Sequence, residues 1–200
     1  ISRTGGSMYA DGTEFEGYNF FMGLGYTAGD HSLEFMVTGA PQWHNQRSRA
    51  SSIDTQILYG DGDGEPNRKY NEDWGYRNGE EYSFRRNFYH KPVISLNWNW
   101  KLSEKTTLET STYASFGRGG GTGEIGEING RRQFALPRTA DGLIRVDDIV
   151  AYNSGQLVSD FSDTPREQIN GQYVNNSDQN ANENNTNGIS RRASVNSHNW

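Results

Sequence analysis

Cysteine is absent from the sequence, which excludes disulfide frameworks and thiolate metal sites. Long apolar runs are absent as well. Hydrophobic residues make up 32% of the chain and mean hydropathy is -0.92, and no run of about 18 apolar residues is available for a membrane helix. That excludes a helical membrane protein but not a barrel, whose strands need only alternate apolar residues over about 10 positions. Basic charge is scarce: 19 Lys and Arg against 25 Asp and Glu leave a net charge of -6, the opposite of the basic stripe that nucleic-acid binding requires. Catalytic patterns are missing too. The four histidines, His31, His44, His90 and His198, occur once per element with no His-x-x-x-His spacing, and no serine sits in a Gly-x-Ser-x-Gly elbow. No enzymatic activity, resident cofactor or metal is expected.

What is present is alternation. Ile94, Leu96, Trp98 and Trp100 share one parity while Ser95, Asn97 and Asn99 hold the other, the period-2 pattern of a strand with one apolar and one wet face. After the polar turn 103–106 the pattern resumes with Leu108, Thr110, Thr112, Ala114 and Phe116 opposite Thr107, Glu109, Ser111 and Ser115. A second hairpin precedes it. Tyr18, Phe20, Met22, Leu24 and Tyr26 alternate with Asn19, Phe21, Gly23 and Gly25, then Leu33, Phe35 and Val37 follow a turn at 28–31. Asn is a poor strand former in a soluble sheet, and both in-strand carboxylates, Glu34 and Glu109, fall on the polar parity. Tyr26, Trp98 and Trp100 cluster near the short turns, where an aromatic girdle sits in a membrane barrel.

The connections differ sharply in length, and structureless loops as long as 43–89 and 119–196 are unusual in a compact soluble domain. Short turns at one end and long loops at the other are the anatomy of an outer-membrane barrel. The expected fold is therefore all-β, a segment of a large antiparallel transmembrane β-barrel with short periplasmic turns and extracellular loops 43–89 and 119–196. Its strands are expected near 14–28, 32–42, 90–101 and 106–118, paired as consecutive neighbours. Phe20, Leu24, Phe35, Ile94, Leu96 and Leu108 are expected to face lipid, and Glu34, Asn97, Asn99 and Glu109 the lumen. Residues 1–13 read as the tail of a loop. The ends, Ile1-Ser2-Arg3 and Trp200, suggest a piece of a longer chain.

The loop at 43–89 is rich in aromatics and arginine, which supply large contact area with polar handles. The candidate ligand-contact residues are Trp43, His44, Arg47, Trp74, Tyr76, Tyr82, Arg85 and Arg86. Trp43, His44 and Arg47 follow a strand directly and belong near the rim, whereas Trp74, Tyr76 and Tyr82 lie far from any strand and are freer to meet a ligand. Asp61 to Glu65 alternates carboxylates like the start of a calcium loop, but Pro66 stands where the sharp-turn glycine is needed, so it reads as a turn. The glycine run 117–123 lacks the lysine of a phosphate loop and reads as a flexible exit from the strand. One short helix is expected over Asp147–Tyr152, closed by 153–155. Residues 170–187, with sequons at Asn175 and Asn184, have little to bury, and 193–200 reads as entry into another strand.

In combination, DGTEF at 11–15, GAPQWHNQR at 39–47, WGY at 74–76, EEYSFR at 80–85, YHKP at 89–92, FGRGGGTG at 116–123 and DDIVAYN at 147–153 carry a resemblance. The chain resembles the barrel region of Bacteroidetes-type TonB-dependent outer-membrane receptors, including those with a carboxypeptidase-regulatory-like N-terminal domain. The resemblance implies a plugged barrel in the outer membrane of a Gram-negative bacterium, with the plug region and closing C-terminal strand outside this piece. It implies energy-coupled uptake of a large nutrient (siderophore, glycan or peptide), contact with outer-membrane lipid, and coupling to the TonB complex through the plug. It also admits a surface lipoprotein as a partner. The competing expectation is a secreted or surface β-module that binds carbohydrate through its aromatics.

Overall fold

The computed structural model describes residues 1–173 and 188–199. The expectations for 174–187, including Asn175 and Asn184, and for Trp200 lie outside the described residues. In chain order the strands are β1 (Ser2–Ser7), β2 (Glu14–Ala28), β3 (His31–Gly39), β4 (Gln42–Asn45), β5 (Trp74–Arg77), β6 (Glu80–Ser83), β7 (Arg86–His90), β8 (Val93–Ser103), β9 (Thr106–Glu127), β10 (Gln168–Ile169), β11 (Gln172–Tyr173) and β12 (Gly188–Asn199). Two α-helices, α1 (Ile53–Leu58) and α2 (Val146–Asn153), and a 3-10 turn at Gln133–Ala135 lie in the described parts of the long connections.

β3 and β4 behave as one strand against β2, with Gly39 opposite Phe20 and Gln42 opposite Gly17 in unbroken register. The interruption is Ala40-Pro41, where proline has no N–H to give the ladder, while its carbonyl still accepts from Tyr18 N–H at 2.9 Å. β7 and β8 are likewise one strand broken at Lys91-Pro92, the register running from Thr38 opposite Val93 to Gln42 opposite Tyr89. The expected strands at 32–42 and 90–101 thus give way to longer, proline-interrupted ones. The sheet is an antiparallel meander, β1, β2, β3 with β4, β7 with β8, β9 and β12, with β1 and β12 at its edges among the described residues.

Three further expectations are corrected. Residues 2–7 form an edge strand on β2 with Arg3 opposite Tyr18; nothing alternates there, and the pairing comes from the free edge that β2 offers on the side away from β3 and β4. The loop at 43–89 contains four strands and a helix. The glycine run lies in the middle of β9, which continues to Glu127. A Cβ on Gly120 would lie 2.0 Å from the Ser194 carbonyl oxygen and one on Gly119 2.8 Å from Tyr89 Cβ. The glycines are there so that β7 and β12 can close on β9, and they give no flexible exit.

Register that is unbroken up to a shift at Lys101–Ser103 beside the short turn keeps the two faces separate across four strands. Met22 faces Val37, Leu24 faces Phe35, which faces Leu96, and Trp100 faces Leu108 on one side. Gly25 faces Glu34, which faces Asn97, and Asn99 faces Glu109 on the other. Phe15, Phe21, Met36, Val93 and Tyr113 are the apolar exceptions on the polar side. The apolar side is uncovered: Leu24 is 62% exposed, and Met22, Tyr26, Leu96 and Leu108 are exposed with it.

Burial is concentrated at one end instead. The connections 29–30 and 104–105 are two-residue turns, and at the opposite end 8–13, 46–85 and the described part of the third connection, 128–173, contribute to a compact cap. Its core holds Phe84, Ile128, Ile144, Val146, Ile149, Tyr152, Phe161 and Ile189. The inward stripe of α2, Val146, Ile149 and Tyr152, follows from 3-residue spacing. Asp147 and Asp148 in its first turn complement the helix dipole.

Candidate functional site

The cap encloses a cleft of about 550 Å³, within the size range of small-ligand pockets. It is built from all three cap connections, with Asp11 and Gly12 from the first, Tyr59, Asp61, Tyr70, Trp74, Tyr76 and Glu81 from the second, and Asp141 from the third. Backbone bonds hold these pieces together. Asp11 N–H donates to the Lys69 carbonyl at 2.9 Å and Ile144 N–H to the Trp74 carbonyl at 2.9 Å. The buried Asn71 amide donates to the Asp11 carbonyl at 2.9 Å.

Two aromatic pairs form the walls. Tyr59 and Tyr70 stack with centroids 5.0 Å apart, and Trp74 meets Tyr76 edge-on at 5.3 Å. Two glycines make this possible. Gly12, at φ +67°, lies where a Cβ would come 2.2 Å from the Trp74 ring, and Gly142, at φ +77°, does the same for Tyr59 and Tyr70. Tyr70 donates to the Gly142 carbonyl at 2.9 Å, and burial pushes its phenol above the ordinary value, so it remains a donor. Trp74 is 6% exposed, and its indole N–H is buried without a hydrogen-bond partner.

The electrostatics are one-sided. Asp11, Asp61, Glu81 and Asp141 line the cleft without a lysine, arginine or histidine among the lining residues. Burial, then Glu14 and Asp11, raise the Glu81 carboxyl above its ordinary value. The guanidiniums nearby are spent elsewhere: Arg47 on the Arg68 and Tyr70 carbonyls, Arg49 on Glu72, and Arg138 on the Glu72 and Gly142 carbonyls.

Of the eight candidate residues, Trp74 and Tyr76 line this cleft. The other six are placed apart from it. Trp43 sits at the top of the sheet with the Arg86 guanidinium 3.9 Å above its ring, and Arg86 also donates to Asn45 Oδ1 at 2.9 Å. His44 faces the other side of the sheet, opposite Phe15 and Asn87. Tyr82 packs edge-on against Phe84 at 5.3 Å beside the cap core, with Arg191 stacked on it. Arg85 and Arg132 flank Glu124, whose side chain is 1% exposed. Arg85 is 2.8 Å from Oε2, close enough for charge attraction but outside hydrogen-bond alignment. The reading from sequence missed Asp11, Glu81, Tyr70 and Asp141 as a group, because they come from three connections with no common spacing.

At 61–65 the chain forms a turn, Glu65 N–H donating to Asp63 Oδ1 at 2.9 Å. Among the described residues no three His, Asp or Glu side chains come together as a metal site. No family model, no curated protein and no solved structure matches the chain.

Proposed function

We propose that the chain is a wall segment of an outer-membrane β-barrel receptor of the TonB-dependent type, whose cap faces outward and takes up a large nutrient. The observation that carries the reading is the sheet's uncovered apolar face, bounded by aromatic rows at both ends. At the short-turn end Trp98 and Trp100 stack at 5.7 Å and Trp98 donates to His31 Nδ1 at 3.2 Å, with Tyr26 on the same face. At the cap end stand Tyr18, Trp43 and Phe88, edged by the Arg3–Glu16 pair at 2.6 Å. Phe88 to Trp100 covers about 40 Å of strand at ~3.3 Å per residue. A tilt of about 40° brings that to ~30 Å, the thickness of a hydrocarbon core.

A soluble sandwich needs a second sheet over the apolar face, and the only other sheets among the described residues are the two-stranded β5–β6 and β10–β11 pairs. The polar face, with Glu34, Asn97, Asn99 and Glu109, suits a wet lumen. In this reading the plug region would couple to the TonB complex, and the ligand would meet the cap first.

The test is topological. An epitope inserted between Gly62 and Asp63 should be reached by antibody on intact cells producing the protein, and one between Glu104 and Lys105 only after the outer membrane is permeabilised. Equal access on intact cells, or recovery of the protein outside the membrane fraction, would overturn the reading.

A further inference from the structure

Near the cap, the polar face of the sheet carries a groove separate from the cleft. Its floor is a column of glycines in β9, Gly117, Gly119, Gly121 and Gly123, and the neighbouring strands supply its walls. On one side Asn87 and Tyr89 stand opposite Gly121 and Gly119, with Arg85 over Gly123 and Lys91 beside Gly117. On the other side Arg192, Ser194, Asn196 and His198 stand opposite the same four glycines. Two adjoining hollows of about 640 and 330 Å³ run along it. Close approach of β7 explains Gly119, but a Cβ at Gly117 or Gly121 would meet nothing nearer than 3.5 or 3.6 Å. Glycine weakens a strand interior, and what these two positions gain for that cost is an open floor.

Charge in the groove is of one sign. The only carboxylate among the residues lining the two hollows is Glu124, and it is answered by both Arg85 and Arg132, each 2.8 Å away. Arg192 and Lys91 are exposed and have no carboxylate partner among the described residues. They mark the two ends of the glycine column, Gly123 and Gly117, separated by ~20 Å of strand.

Between these ends the walls offer neutral amides. Asn87 and Asn196 come from opposite walls, and among the described residues neither side chain has a hydrogen-bond partner. Strand spacing puts the walls ~10 Å apart, room for one extended chain. The floor's own N–H and C=O groups are spent in the ladders with β7 and β12, so a peptide lying there takes its hydrogen bonds from the wall amides, each of which can donate to a carbonyl and accept from an N–H. A saccharide would need a bare ring face to stack on, and the Lys91 ammonium covers Tyr89 at 5.5 Å from its centroid.

Resting on the reading of the polar face as the lumen wall of a receptor, we propose that this groove binds an extended acidic peptide. One carboxylate sits between Arg85 and Arg192, and another, about six residues further along the peptide, sits against Lys91.

The experiment is titration of the protein in detergent micelles with a fluorescent, end-capped peptide carrying two aspartates about six positions apart, read by anisotropy. The same peptide with asparagines in their place, and tetragalacturonate, are titrated beside it. The acidic peptide should bind with an affinity that falls as salt rises. Arg192→Gln and Lys91→Gln, both at exposed side chains, should each weaken it about tenfold, the value of one charged hydrogen bond. Gly121→Val, which fills the floor with a strand-favouring residue, should abolish binding while the circular dichroism of the sheet is unchanged. Equal binding of the asparagine peptide, tighter binding of tetragalacturonate, or affinity unchanged in both charge variants would overturn the proposal. Because the titration needs no bilayer, failure of the protein to insert in membranes would sink the receptor reading while leaving this result standing.

Discussion

Gly75 shows at the scale of one residue how the cap is made. It forms a parallel bridge with Ile144, and a Cβ there would lie 2.0 Å from the Ile144 carbonyl oxygen, so the second and third connections touch backbone to backbone. Gly75→Ala should destabilise the cap by roughly 1–3 kcal/mol, the usual cost of overpacking, read from amide exchange in β5 and α2. Glu81 supplies a second residue-scale prediction. Its carboxyl is held above the ordinary value of 4.5 by burial and then by Glu14 and Asp11. A raised carboxyl contributes stability that is complete below pH 4.5 and is lost as pH rises through the elevated value. The cap should therefore loosen with rising pH in this window, and Glu81→Gln should flatten that part of the profile; parallel profiles for the two proteins would contradict the assignment. Trp74 and Tyr76 could be singled out in the sequence as aromatics far from the expected strands, and both line the cleft, although Trp74 is also buried in the cap. Tyr82 looked the same, but it packs beside the cap core with Arg191 over its ring, while Arg47, expected near the rim, donates to the Arg68 and Tyr70 carbonyls.

At the scale of elements the molecule divides into a sheet with no core of its own and a cap that holds the core. The helix α2 joins them, its Asn153 side chain donating to the Ile189 carbonyl at 2.7 Å and accepting from Ile189 N–H at the start of β12. Ile149→Ala should cost about 2–5 kcal/mol, as for other buried aliphatic truncations, and the loss should be confined to the cap. Hydrogen exchange would show faster opening of residues around α2 and β5 with β3 and β8 unchanged; uniform acceleration would mean that sheet and cap unfold as one unit. Strands with strict alternation were legible because pairing follows the local pattern there, and α2 because its period and its burial agree. β1 was not, because SRTGGS carries no alternation and its pairing is decided by β2. The glycine run was misread for a related reason: glycine is judged locally as flexible, yet here its role is space for Ser194 and Tyr89 across the sheet.

For the whole molecule, the central claim is that the face carrying Leu24, Leu96 and Leu108 lies against lipid and the face carrying Gly25, Asn97 and Glu109 does not. The absence of native cysteine makes this directly measurable. Single cysteines at these six positions can each carry a nitroxide label with no background thiol. In bilayers, collision with oxygen should be high and with a water-soluble nickel chelate low at Leu24→Cys, Leu96→Cys and Leu108→Cys. The pattern should invert at Gly25→Cys, Asn97→Cys and Glu109→Cys, giving a period of two along each strand. High nickel access at Leu24, Leu96 and Leu108, equal to that at their neighbours, would contradict the account.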